Sequence, residues 1–150
     1  MKIVLQRVTH ASVSVGGNQI GSIKKGLLLL LGVAHGDTDA MCDALLEKIV
    51  NLRIFSDSEG KMNLSLLDCG GELLVISQFT LYADCRKGRR PGFTDAGAPE
   101  FAKDMYKKFI QKCKDKGITT AEGEFGADMQ IDFVNDGPVT IILDSKDFTI

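Results

Sequence analysis

Polar and apolar positions alternate along the opening of the chain in a way that fits strands. Residues 2–8 are strand-like, and Ala11-Ser12-Val13-Ser14-Val15 repeats with period two, the pattern of a half-buried strand. Gly16-Gly17-Asn18 signals a turn, after which residues 19–23 can return as a hairpin partner. A second turn at Lys24-Lys25-Gly26 leads into the apolar run Leu27 to Leu31, which predicts a strand over 27–33 buried on both faces. The period then changes. Asp37-Thr38-Asp39 offers N-cap oxygens, and Cys42, Leu45, Ile49 and Leu52, widened by Met41, Leu46 and Val50, predict a helix over roughly 38–51. Leu52 to Phe55 reads as extended, Asp57 to Gly60 as a turn, 61–67 as ambiguous, Cys69-Gly70-Gly71 as a turn and Leu73 to Phe79 as a strand. A loop rich in Gly, Arg, Asp and Pro fills 84–97. Pro99 suits N1 of a second helix, Phe101, Met105, Phe109 and Cys113 form its stripe, and Gly117 suits C′. Residues 119–123, 130–134 and 138–143 are the last strand candidates. This order predicts an α+β fold: a curled or barrel-like, mainly antiparallel β-sheet carrying two main helices.

Composition narrows the class. The chain has 150 residues, 44% apolar and 25% charged, the balance of an ordinary globular protein, and 1–150 is expected to be a single domain. The longest apolar run, Leu27 to Leu31, is far short of the ~20 residues a membrane helix needs, so no membrane contact is expected. The opening Met1-Lys2-Ile3-Val4 has no signal-peptide pattern. Cys42, Cys69, Cys85 and Cys113 are scattered with no C-x-x-C, which predicts reduced, structural thiols and a cytoplasmic location.

The net charge of −2 conceals an asymmetry. Residues 86–116 hold ten Lys and Arg against four acids, a balance of +6, whereas 1–85 carry −2 and 117–150 carry −6. Taken alone, the block reads first as a solvated helix face plus a charged loop, and otherwise as the contact for a polyanion.

Familiar reactive groupings are missing. His10 and His35 belong to no H-E-x-x-H or H-x-x-E-H pattern and no Cys pair has ligand spacing, so neither a metal nor a cofactor is expected. There is no phosphate loop, no G-x-G-x-x-G and no G-x-S-x-G. Two segments stand out. Ser77-Gln78-Phe79-Thr80-Leu81 places polar groups at the end of an apolar strand. There they either bond the backbone to end the strand or project into a cleft beside free amides able to hold an oxyanion. Asn135-Asp136-Gly137-Pro138 precedes the strand from Val139; it is a turn by composition, with an X-Pro bond that can be cis.

At these residues the chain resembles the D-aminoacyl-tRNA deacylases of the bacterial and eukaryotic type, over nearly its full length. The opening Met1-Lys2-Ile3-Val4-Leu5-Gln6-Arg7-Val8, with Ala11-Ser12-Val13, is similar to the family's N-terminus. Ser77-Gln78-Phe79-Thr80-Leu81 and Asp136-Gly137-Pro138-Val139-Thr140 match two separate family signatures. Arg86-Lys87-Gly88-Arg89-Arg90-Pro91 followed by Phe93 is similar as well, with Gly92 where the family commonly has Ser.

The resemblance implies a homodimer that hydrolyses the ester between a D-amino acid, or glycine, and the terminal adenosine of tRNA, with no DNA partner. It implies a cis Gly137–Pro138 peptide, inserted into the partner's site, whose carbonyls exclude an L side chain. Arg7 would fix that loop, and Ser77, Gln78, Phe79 and Thr80 would form the catalytic segment. No base accompanies Thr80 in sequence, which favours attack by water, with the ribose 2′-OH assisting, over a Thr nucleophile. Arg86, Lys87, Arg89 and Arg90 become the candidates for tRNA phosphates. Two readings from other classes stay open: an RNA-binding module without catalysis, and a small-molecule esterase using Thr80 as nucleophile.

Overall fold

A computed structural model describes residues 1–148. The sheet is organised around its first strand, β1 (Lys2–Val15), which runs through Thr9-His10 without a break. One edge of β1 pairs with two antiparallel strands in turn: β2 (Asn18–Ile23) along Ala11 to Val15, and β3 (Gly26–Gly32) along Lys2 to Val8. The helix α1 (Asp39–Asn51) follows, with Thr38 as its N-cap. A small hairpin, β4 (Phe55–Ser56) and β5 (Met62–Leu64), brackets the expected turn at Asp57 to Gly60. The ambiguous stretch then holds a one-turn helix, α2 (Leu66–Cys69), closed by a Ser65–Asp68 capping box. Next come β6 (Glu72–Ser77), a 3₁₀ turn (Phe79–Tyr82), α3 (Pro99–Asp115), β7 (Thr120–Glu122) and β8 (Gln130–Asp144).

The pairings β3–β6 and β6–β7 are parallel, so the sheet is mixed. Each is bridged by a helical crossover, α1 in one and α3 in the other, as parallel neighbours require. The antiparallel expectation holds for the N-terminal half and for the long β1–β8 pair.

Alternation divides the core. Ile3 and Leu5, Leu27, Leu29 and Leu31, and Leu73 and Val75 face α1 and α3. Val8, Ala11, Val13, Ile23, Leu28, Leu74 and Ile76 face the inside of the curl. The expected two-sided burial of β3 is therefore observed. The curl nearly closes where β2 approaches β7: a Cβ built on Gly21 would lie 3.0 Å from the Glu122 carbonyl oxygen. Gly26 serves a tighter approach, since a Cβ there would fall 1.9 Å from the Glu72 carbonyl oxygen.

Three expectations need correction. The strand predicted to reach Phe79 ends at Ser77: the Gln78 amide makes the last bond to β3, to Leu31 O at 2.8 Å, and the chain then turns into the 3₁₀ segment at Phe79. Phe101, placed on the buried stripe of α3, is exposed; the buried face consists of Ala102, Met105, Tyr106, Phe109, Ile110 and Cys113. The two strands expected over 130–134 and 138–143 are one, β8, and the Asn-Asp-Gly-Pro turn interrupts its pairing without ending it. All four thiols are free, and burial pushes those of Cys42 and Cys113 up to about 11 and about 12. No helix among the described residues is long and apolar enough to cross a membrane.

Candidate active site

The polar end of β6 opens onto a cavity of about 290 Å³. Ser77, Gln78 and Phe79 form one wall, and Phe125, Met129 and Ile131 form much of the other. Thr80 lies one residue outside, exposed, and Gln78 Nε2 donates to its Oγ1. The Phe79 and Thr80 amides open the 3₁₀ turn, where the first N–H groups have no acceptor within it. The Leu81 and Ala83 amides are already spent on Gln78 O and Thr80 O. No histidine, lysine or carboxylate bonds Thr80 among the described residues. The nearby Tyr82 phenol is pushed well above its ordinary range by burial and then by Asp37, so it stays neutral. The segment offers amide and hydroxyl polarity without a base.

A second group assembles across β1 and β8. Gln6 pairs with Thr140 and Val8 with Asn135, so opposite Arg7 alone β8 carries the four residues 136–139. This excursion is closed from within: the Val139 amide donates to Asn135 Oδ1 at 3.1 Å, and Asn135 Nδ2 donates to Thr140 Oγ1 at 3.0 Å. It is tied from below by Arg7, 8% exposed, whose Nε donates to Asp136 O at 3.1 Å and whose Nη1 donates to Ile54 O. The Gly137–Pro138 peptide is cis, Gly137 has φ of 131°, and both residues face solvent. Neither they nor Arg7 line the cavity beside Ser77. Within one chain the sequence-predicted residues thus form two separate groups.

The basic block also divides. On α3, Lys108, Lys112 and Lys116 pair with Asp39, Asp43 and Glu47 of α1 at 3.4, 2.7 and 2.8 Å, and Lys114 pairs with Glu122 at 3.2 Å. The Lys116 ammonium holds the Glu47 carboxyl below the usual carboxylate range. These lysines are engaged with the protein itself. In the loop, Arg86 is bidentate to Asp84, with both bonds at 2.8 Å, and depresses that carboxyl. Lys87, Arg89 and Arg90 are exposed and meet no acid at ion-pair distance among the described residues.

Sequence reasoning missed Phe125 and Met129, the opposite wall of the cavity, and gave Asn135 a place in the turn but not its role as the inner clasp of the excursion. An aromatic and a methionine around Gly126 carry little signal in a sequence, because their partners arrive from β6.

Solved structures share this fold. The chain superposes with a TM-score of 0.90 on the c-Myc DNA unwinding element binding protein, at 43% identity over 96% of this chain and 98% of that one. It superposes at 0.78 on a probable eukaryotic D-amino acid tRNA deacylase, at 17% identity over 95% and 97%, a likeness of fold. A D-aminoacyl-tRNA deacylase of Clostridioides difficile is 59% identical over 146 residues, covering 97% of this chain and 98% of that protein. One of Thermosipho africanus is 56% identical over 97% and 98%. The fold and these relatives define the class as an ester-cleaving hydrolase, an enzyme. The pattern of the family described as D-Tyr-tRNA(Tyr) deacylase matches residues 4–144, and the chain belongs to that family.

Proposed function

We propose that this enzyme hydrolyses the ester joining a D-amino acid to the 3′-terminal adenosine of tRNA in the cytoplasm, also clears glycine so attached, and works as a homodimer. The observation that carries the reading is the division of the site into two groups. The Gly137–Pro138 excursion is rigidly anchored yet exposed and away from the cavity of its own chain, as a part built for a second copy's site would be. Continuing along β8, Ile142 is an exposed apolar side chain on the same strand, which suits burial against a partner.

In this reading the cavity's apolar walls take the terminal adenosine, and the aminoacyl ester lies over Ser77 to Thr80. Water adds to the ester carbonyl and the Phe79 and Thr80 amides hold the oxyanion. The 3′-oxygen then leaves with a proton, assisted by the neighbouring 2′-OH, giving free tRNA and the amino acid. The partner's Gly137 and Pro138 carbonyl oxygens crowd the position an L side chain would occupy, while a D side chain points outward unread. Initial rates on matched D-, L- and glycyl-tRNA test this directly. D and glycine are expected to be cleaved and L spared, by a species that sediments as a dimer; equal cleavage of D and L overturns it.

Thr80→Ala separates water from a threonine nucleophile. The amides remain, and losing one orienting hydrogen bond costs roughly 0.5–1.5 kcal/mol, so single-turnover deacylation should fall by about tenfold at most. A loss above about a thousandfold in folded, tRNA-binding protein would exceed what such a bond supplies and would restore the nucleophile.

The free loop cations give a third expectation. Neutralising Lys87, Arg89 and Arg90 should weaken tRNA binding and flatten its log–log salt dependence by roughly 0.7–0.9 for each phosphate no longer neutralised. Arg86→Ala should change the slope less, because Asp84 already occupies that guanidinium. Titrations at several salt concentrations read both, and an unchanged slope assigns the loop to structure.

A further inference from the structure

Phe79 and Phe93 are large apolar side chains left on the surface, 56% and 38% exposed. They pack on each other, edge against face, with ring centroids 4.9 Å apart and planes at 65°. Phe79 stands on the rim of the cavity, and Phe93 emerges from the basic loop. That loop is clamped on both sides of Phe93. Asp84 and Gly92 exchange backbone hydrogen bonds of 2.7 and 2.9 Å, and the Gly97 amide donates to Val33 O at 2.9 Å. Phe79 thus joins the cavity to Phe93, and Lys87 and Arg90 share a surface depression with Gly92, the residue before Phe93.

We propose that Phe93, together with Phe79, is the stacking platform for the nucleobase that precedes the terminal adenosine of the RNA. The proposal rests on the deacylase reading and extends it to the next nucleotide. With the terminal nucleoside in the cavity, the preceding base must cross the rim, where it meets an exposed aromatic pair. Its phosphate then lies toward the loop, where the charge is complementary. Stacking needs only the π face that every base has, so such a platform serves all tRNAs alike and supplies affinity without reading sequence.

The test compares kcat/KM for the D-aminoacyl ester of adenosine with that for the same ester of the dinucleotide cytidylyl-adenosine. The dinucleotide is expected to be preferred by roughly tenfold or more, the size of one base stacked on an aromatic ring. Phe93→Ala should bring the ratio close to one, and Phe93→Trp should retain it. An unchanged ratio in Phe93→Ala overturns the proposal, whether both substrates slow together, as a merely structural role predicts, or neither does. A second arm needs no turnover. An uncharged RNA oligonucleotide with 2-aminopurine as the penultimate base should change fluorescence saturably on binding, and Phe93→Ala should lose that signal. If the wild-type chain cleaves neither short ester, this arm alone decides the platform, while the deacylase reading stands or falls on the D-aminoacyl-tRNA rates. Loss of the signal in Phe93→Ala upholds the platform, and its persistence overturns it.

Discussion

Gly137→Ala is expected to lower single-turnover deacylation of a D-aminoacyl-tRNA by about a hundredfold in a protein that still folds. The added Cβ would lie 2.9 Å from Val139 Cγ2, 3.2 Å from the Val139 amide nitrogen and 3.0 Å from Arg7 Nη2. Arg7 has little freedom to yield, because it is buried and bonded to both Ile54 O and Asp136 O. The φ of 131° is itself one that side chains rarely adopt, at a cost of about 1–3 kcal/mol. The backbone of the excursion must therefore move. A displacement on the order of 1 Å at a positioning element is enough for a hundredfold loss. Thermal unfolding measured beside the kinetics separates this from global destabilisation. A variant with wild-type rate and wild-type preference for D over L would remove Gly137 from the mechanism.

The second large effect is expected at Arg7. Arg7→Met keeps a long apolar stem and removes the guanidinium, leaving two carbonyls, Ile54 O and Asp136 O, without their donor. Hydrogen bonds from a charged group contribute roughly 1.5–3 kcal/mol each, so a total loss of about 3 kcal/mol in unfolding free energy is expected. The ion pair with the Asp136 carboxylate adds little, since it is 3.4 Å long and that side chain is nearly half exposed to solvent. The excursion also loses its lower tie, so the rate should fall as far as in Gly137→Ala. Arg7→Lys should recover only part of either quantity, because an ammonium lacks the fork that spans two acceptors. Denaturant unfolding and single-turnover rates check both. Stability within about 0.5 kcal/mol of wild type, the range of a neutral surface change, would mean that the tie is not needed.

Much of this arrangement was legible in the chain. The period-two run 11–15 gave part of β1, the turn signal after it gave β2, the five leucines gave β3, and the stripes gave α1 and α3; the runs and stripes reflect burial against many neighbours. Ends and pairings were harder. β6 ends at Ser77, where the Gln78 amide makes the last bond to Leu31 O, 47 positions away in the sequence. Asn-Asp-Gly-Pro has turn composition, yet it sits inside one strand because β1 continues to pair on both sides of it. The lysines of α3 contributed to the basic block as if free, and only the packing of two helices reveals their acidic partners on α1. The candidate residues themselves were recognised through the two signatures. Their separation into two groups needed coordinates, since it depends on strand order.

The pairing of β1 with β8 has a bearing on how the molecule comes into being. Lys2 lies opposite Asp144, so β1 leaves the ribosome long before the strand it pairs with. A nascent chain can already form the α1 crossover, the Ser77–Thr80 segment and the basic loop, all from residues made before Gln130. It cannot yet seat Gly137 over Arg7, and joining such distant segments adds a loop-closure cost that slows folding. In the reading proposed above, chiral selectivity is thus acquired only after the segment that cleaves the ester has been made.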